Sequence, residues 1–497
     1  MKQLLLTLMA MALFATTNSQ ELATPLEKNK FAKPTTYNQL SDFVHELDSS
    51  SGIMRSEIIG QSVEGRNLYA LKFSTGEFGA DNSKTRVLIL AQQHGNEQSG
   101  KEGALLLASR LIRPENSYLF EKIDLTIIPQ VNPDGSEVNK RRNAHDMDLN
   151  RNHLILTEPE TKALHRFFEQ YLFEVTMDVH EYSPFGDDWK KYGYRKNAAV
   201  TLGVNTNENI ADDIRKFSNE EAAPFILKYI SDKGYSSFVY CPGGPPGVDY
   251  IRHSTFDIND GRQSFGILNT VSFIQEGMNG EDTYIENLQK RCDSQAAGMM
   301  ALLEFIYVNG EKIRQLVTDG RKTLLNAKPG KNVSVQAGHF SDGRKLSLPL
   351  VSCSTKTDTM VEVADYRPVV KSTYDVERPL GYLIAKNNTE LMDWLRVQTI
   401  NFKDYQPSKH PKIERYFIRD TDSIDFERDM IINPIVETSP AEPVTPSDYV
   451  FIPIGQLKSN LIAQALEPKS MLGLITYKQF AHLIKTGTYY PVLRVIK

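Results

Sequence analysis

The 497-residue chain is poor in the features that mark several protein classes. It has only three cysteines, Cys241, Cys292 and Cys353, far apart in the sequence. They can form at most one disulfide, no pair has zinc-ligand spacing, and they read as packing residues. Beyond the N-terminus no stretch approaches ~18 uninterrupted apolar residues, so no ordinary membrane-spanning helix and no stable membrane anchor are expected. Charge of neither sign dominates: 57 Lys and Arg against 62 Asp and Glu leave a formal −5. Without a long basic run, nucleic acid is not an expected partner. The H-E-x-x-H helix of many zinc proteases is also missing, since His180-Glu181 is not followed by a second His. No internal repeat is visible.

What is present is an ordinary globular composition, 40% hydrophobic and 24% charged, long enough for two to four domains at about 150 residues each. The first residues read as an address. Lys2, the apolar run Leu4 to Ala15 and then Thr16, Thr17, Asn18 and Ser19 follow the order of a secretory signal peptide, which predicts cleavage near residue 19 and a secreted or periplasmic protein.

The body of the chain alternates strand and helix signals. Arg86 to Ala91, Ile123 to Pro129, Val175 to Val179 and Val271 to Gln275 read as strands. Helices are predicted near Gln39 to Leu47 and over Glu97 to Ile112, Glu158 to Leu172 and Asp282 to Tyr307, with a further helix from Asn209 to Lys233 broken at Pro224. Cys241 to Val248 (CPGGPPGV) reads as loop. This order predicts an α/β fold, a mixed, mainly parallel sheet with helices on both faces, over residues 20–309. Past Val308-Asn309-Gly310 the texture turns strand-rich, and residues 310–497 are expected to form a β-rich C-terminal domain. Short helices are expected there near Asn388 to Val397 and Leu457 to Leu466, and residues 437–448 (ETSPAEPVTPSD) read as an exposed linker.

Two of the ten histidines follow predicted strands directly, His94 and His180. Ligands bind outside the carboxyl ends of strands in α/β sheets. In Gln93-His94-Gly95-Asn96-Glu97, a three-residue spacing around a glycine lets an imidazole and a carboxylate reach one ion. With His180, two nitrogens and a carboxylate oxygen leave a fourth zinc position for water, the arrangement of a catalytic zinc site.

The motif order QQHGNEQSG, VNPDG, KRRNAHDMDLNRN, MDVHEY resembles the zinc carboxypeptidases related to carboxypeptidase A, over roughly residues 40 to 308. The resemblance implies one Zn2+ held by His94, Glu97 and His180, with Asp148 orienting a ligating imidazole. It implies that Asn150 and Arg151 grip a substrate's terminal carboxylate, a task suited to the planar guanidinium. Arg141 would polarise the scissile carbonyl, with Arg142 competing for that role. Glu276, in Val271-Ser272-Phe273-Ile274-Gln275-Glu276-Gly277, would be the general base. Tyr250, with Tyr240 and Tyr235 as alternatives, would close over the substrate. Asp257, Asp260 and Arg262 lie where a specificity pocket would be lined, and leave the sign of its charge open. Trp394, Tyr366 and Tyr382 read as core aromatics, and residues 310–497 carry no metal or nucleophile pattern.

The activity so implied is hydrolysis of C-terminal peptide bonds of a peptide substrate. A zinc amidase acting on bacterial wall peptides and an inactive metal-binding scaffold are the alternatives.

Overall fold

The computed structural model describes residues 22–280, 285–426 and 429–497. The expected signal segment, and Glu281 and Asp282 at the expected start of the last helix, lie outside the described residues.

Ten strands form before residue 280: β1 (Met54–Gln61), β2 (Asn67–Phe73), β3 (Thr85–Ala91), β4 (Ile123–Ile128), β5 (Val175–Tyr182), β6 (Tyr194–Lys196), β7 (Val200–Gly203), β8 (Ser237–Val239), β9 (Ile251–Arg252) and β10 (Val271–Met278). Eight of them make one sheet in the order β1-β2-β4-β3-β5-β10-β7-β8. Its centre is parallel throughout, β3 with β4 and β5, and β5 with β10. Antiparallel pairs lie on the β1–β2–β4 side and between β10 and β7. Every residue of β4 is buried, as is all of β3 but Arg86. Strands covered on both faces need apolar side chains on both, which is why VLILA in β3 does not alternate, while Asp124 in β4 is buried accepting hydrogen bonds from Ser74 and Gly79.

Helices Gln98–Leu111 and Pro159–Tyr171 start and stop close to where their apolar periodicity places them. Two helices depart from expectation. Pro224 does not break its helix: Asp212–Phe217 runs through a π-helical turn, Ser218–Ala222, into Ala223–Asp232, with Pro224 in the opening turn of that last segment. A widened turn already lacks the regular hydrogen bond that proline removes, so the ring is accommodated there.

The last helix of the α/β part spans Leu288–Leu325, 38 residues, and so runs straight through the expected boundary near residue 309. Its continuation buries Gly310, Ile313, Val317, Gly320 and Leu324. That three-and-four spacing is one helical face. Gly310 is a packing residue and not a stop. A Cβ there would come within 2.6 Å of Thr85 Oγ1, and one at Gly320 within 2.9 Å of Asn269 Cβ.

The C-terminal part is β-rich, with strands from Asn332 onward. β11 (Asn332–Phe340) pairs with β15 (Val369–Glu377), and a hairpin of β12 (Leu346–Ser352) and β13 (Asp358–Val363) lies between them in sequence. β12 also pairs with β6, and β14 (Tyr366–Arg367) with β9. A second sheet of seven strands follows, built around the long hairpin Ile413–Phe426 and Asp429–Pro440. Residues 437–440 of the expected linker therefore belong to a paired strand. The three cysteines are free, and among the described residues no helix is long and apolar enough to cross a membrane.

The C-terminal part is packed onto the α/β part. Trp394, 2% exposed, donates its indole N–H to Leu154 O at 2.9 Å, and Gln398 donates to the same carbonyl at 2.7 Å. Asn209 and Ser334 exchange two hydrogen bonds, at 2.8 and 2.9 Å. Trp394→Ala empties this contact and orphans part of the Leu154 carbonyl's bonding. It is expected to cost about 3–5 kcal/mol, read as a lower denaturant midpoint in equilibrium unfolding.

Candidate metal centre and active site

The site is assembled at the carboxyl ends of β3, β5 and β10. β3 ends at Ala91 and the chain turns through Gln92, whose φ is +58°, into His94. Gly95 is held against the neighbouring loop so closely that a Cβ would lie 2.2 Å from Gly135 C and 2.5 Å from Lys140 O. Only glycine allows that approach. Gly95 N–H donates to Arg141 O at 3.1 Å, and the Asn132 amide donates to both Gln93 O and Arg141 O. The VNPDG turn therefore staples the His94 loop to the Arg141 loop. Glu97 then opens the helix Gln98–Leu111.

β5 runs to Tyr182, not to Val179, so His180 lies within a strand. Its register partner on β10 is Glu276. Side chains directly paired across neighbouring strands share a face, and this pairing sets the two side by side.

His94, Glu97 and His180 offer donor atoms that all lie within 4.8 Å of one another, and all three are buried. Glu97 Oε1 is 2.7 Å from His94 Nδ1, and its Oε2 is 3.0 Å from His180 Nδ1. The two Nδ1 atoms are 3.1 Å apart. The far ring nitrogens are backed by carboxylates: His94 Nε2 is 3.1 Å from Asp148 Oδ1, and His180 Nε2 is 2.9 Å from Asp178 Oδ2. With those far nitrogens donating to the carboxylates, both Nδ1 atoms face inward, the orientation a metal-bound imidazole requires. The carboxylates of Glu97, Asp148 and Asp178 crowd these two rings, a setting that favours a bound cation. The donor set and its charge fit zinc.

The carboxyl groups differ sharply in their protonation. Burial opposes ionisation of Glu97, but the His94 and His180 rings hold it well below the usual range. Asp148 is likewise held low, against burial, by its contact to His94 and by Arg141 and Arg151. Glu276 is 8% exposed, and burial with the repulsion from Glu97 pushes it up to about 7, against the pull of His180, His94 and Arg141.

Of the two candidate arginines, Arg141 reaches the cluster. Its guanidinium is 3.1 Å from Asp148 Oδ2 and 3.5 Å from Glu97 Oε1, and its side chain stays 46% exposed toward the cleft. Arg142 bonds Asp146 O on the outside of the loop. Asn150 is buried, its carboxamide oxygen accepting from Gln93 Nε2 at 3.2 Å and from Gly261 N at 2.7 Å, while Arg151 is exposed. The ring of Tyr250 lies 4.0 Å under Arg367, a residue of the C-terminal part. Asp260 caps the helix Gly261–Gly266, and Arg262 is fully buried on Thr255, Ser254 and Asp260. Arg262 is thus spent inside the protein and does not face a substrate.

Asp178 was not anticipated. It precedes His180 by two positions on β5, and residues two apart on a strand share a face, so the string D-V-H carried the signal. Behind it runs a buried chain. Asp178 Oδ2 accepts from Gln93 Nε2 at 2.8 Å, Gln93 Oε1 is 2.7 Å from His153 Nε2, and His153 Nδ1 is 2.9 Å from His165 Nε2. Burial lowers the pKa of His153 to about 4, so this chain is neutral at physiological pH.

A profile of the zinc carboxypeptidase family matches residues 40–223. The chain is also 32% identical over 378 residues to the carboxypeptidase N catalytic chain of Homo sapiens, spanning 64% of this chain and 80% of that protein. The chain belongs to the zinc carboxypeptidase family. Carboxypeptidase 2 of Trichophyton rubrum is similar over nearly the whole length, 22% identical across 93% of this chain and 87% of its own. Among solved structures, a Pseudomonas aeruginosa metallo-carboxypeptidase in complex with (2-guanidinoethylmercapto)succinic acid aligns with a TM-score of 0.44 at 20% identity, over 57% of this chain and 71% of that one. As a member of this family the chain is a peptidase of the hydrolase class.

Asp178→Asn keeps the shape of the His180 support but removes its charge. Affinity for zinc is expected to fall by about 10–100-fold, measured by competition with a chromogenic chelator, with Asp178→Glu recovering part of the loss.

Proposed function

We propose that the chain is a zinc-dependent carboxypeptidase that removes residues from the free C-terminus of peptides. The observation that carries this reading is the register pairing of His180 with Glu276, which sets a raised-pKa carboxyl beside a three-donor metal cluster. Zinc, when held by His94, Glu97 and His180, would lower the pKa of water and polarise the scissile carbonyl.

The rest of the chemistry falls to the chain's own side chains. Glu276, ionised, takes the proton from the attacking water and later delivers it to the leaving amine, a cycle suited to a group poised near neutral pH. Arg141, leaning on Glu97 and Asp148 yet open to the cleft, offers N–H donors to the carbonyl oxygen as it gains charge. Asn150 and the exposed Arg151 are the residues proposed for the substrate's terminal carboxylate, with Tyr250 as the group that covers it. The unit performing this would be the α/β part, closed by the helix Leu288–Leu325, with the C-terminal part packed onto it. Lys2, the apolar run and the small residues before position 20 support export as the route to its substrate.

Glu276→Gln is expected to lower kcat by about 10²–10⁴-fold while the variant still binds one zinc per chain. The acid limb of kcat/KM in the wild type should lie at or below pH 7, because burial raises Glu276 to about 7 and a bound cation pulls it down. Activity is lost as pH falls and Glu276 gains its proton. Steady-state kinetics across pH 5–9 on peptides with free and amidated C-termini check both points. Equal cleavage of the two peptide forms would remove the terminal-carboxylate role from Arg151 and favour an amidase.

A further inference from the structure

A cleft of about 540 Å3 opens where the C-terminal part meets the end of the helix Leu288–Leu325. The α/β part gives it Asn209 and Asn269, the turn after the helix gives Lys328 and Lys331, and the C-terminal part gives Arg378 and Asn460. It lies apart from the metal cluster, none of whose residues lines it.

Local structure draws the three cations together. Pro329-Gly330 turns the chain, with Gly330 at a φ of +88°, a conformation open to glycine without strain. The Gly330 N–H then donates to Arg378 O at 3.0 Å, and the Arg378 N–H donates to Lys331 O at 2.9 Å. These two bonds strap the lysine-bearing turn to the residue that follows β15.

The charge gathered there is left unanswered. Arg378 is only 9% exposed, and its Nη2 donates to Asn460 Oδ1 at 2.6 Å. Its Nε is buried with no partner, and its Nη1 bonds no protein group among the described residues. Lys328 and Lys331 are exposed, and none of the three cations forms an ion pair among the described residues. The one carboxylate lining the cleft, Glu208, is held by Arg215 at 2.9 Å. The wall amides are occupied as well: Asn209 bonds the backbone of Ser334, and Asn269 bonds Ala211 N and Gly320 O. Burial pulls the Arg378 pKa down, and the Tyr382 hydroxyl, not a carboxylate, acts back on it. Arginine is almost never buried unless paired, and an unmet charged donor is costly.

We propose that this cleft binds a phosphate group, free or carried on a small ester, with Arg378 as its anchor and Lys328 and Lys331 as further counter-charges. A guanidinium supplies directional N–H donors to phosphate oxygens, and an ammonium supplies a point charge. Three positive charges suit a dianion better than a single carboxylate. The volume leaves room beside one phosphate group for the rest of an ester. This site is independent of what the metal cluster cleaves.

Calorimetric titration of the zinc-loaded chain with inorganic phosphate, glycerol 2-phosphate and acetate, at mildly alkaline pH and constant ionic strength, tests the assignment. Inorganic phosphate or the ester should bind the wild type at least about tenfold more tightly than acetate. Whichever of the two binds better identifies the source of the phosphate group. Arg378→Gln, which can still donate to Asn460, and the double variant Lys328→Ala/Lys331→Ala should each weaken that binding by at least about tenfold. Phosphate should also raise the thermal midpoint of the wild type and leave that of the double variant unmoved. Absence of saturable binding of either phosphate to the wild type, or equal binding of acetate, overturns the proposal. So does phosphate binding that survives in the double variant, which would put the anion elsewhere, such as at the zinc cluster. Both lysines are exposed, so the double variant decides the matter even if Arg378→Gln fails to fold.

Discussion

Parallel pairing of β5 with β10 is the constraint on which the site depends. It sets His180 and Glu276 in register, so that an imidazole of the candidate metal cluster and a buried carboxyl share one face at one height on the sheet. Because side chains alternate along a strand, a slip of one residue would turn either group to the opposite face. Buried strands on both sides of the pair, with β3 on one flank and β7 on the other, make that slip costly. His94 and Glu97 are then delivered to the same place by the turn after β3. That turn can approach its neighbour closely only because residue 95 has no side chain.

The electrostatics follow from this crowding. Several carboxylates gather in this space, and the same burial acts on them in opposite ways. Glu97 and Asp148 touch ring nitrogens and stay ionised, whereas Glu276 touches none and is raised toward neutrality. One of these acids is thereby left able to exchange a proton near pH 7, while the others hold and orient. Asp178 and the neutral Gln93–His153–His165 chain behind it hold the ring of His180 from the rear. That chain ends where the C-terminal part begins to pack, since Gln398 donates to the His153 carbonyl.

The C-terminal part therefore belongs to the architecture of the site as well as to the fold. β12 and β14 extend two small sheets of the α/β part, and Arg367 covers the ring of Tyr250. These contacts set Leu348 of β12 beside Tyr182 and Thr201, near the candidate cluster.

Much of the α/β fold was legible in the sequence because its strands are continuous apolar runs and its helices keep strict periodicity. The helix past Tyr307 was not, since Asn309 and Gly310 look like a stop until Gly310 is seen against Thr85. Pro224 misled for a related reason, as a π-helical turn absorbed it. Motif order alone marked His94, Glu97, His180 and Asp148, which the fold brings together, because each lies in a short local string. Sequence by itself determined the family, the donor types and the loops that carry them. Tertiary structure alone decided that Arg141 faces the cluster while Arg142 turns outward, that Asp178 backs His180, and that Arg262 is buried. Each of these depends on which strand lies beside which, and pairing between segments a hundred residues apart leaves no mark in local sequence.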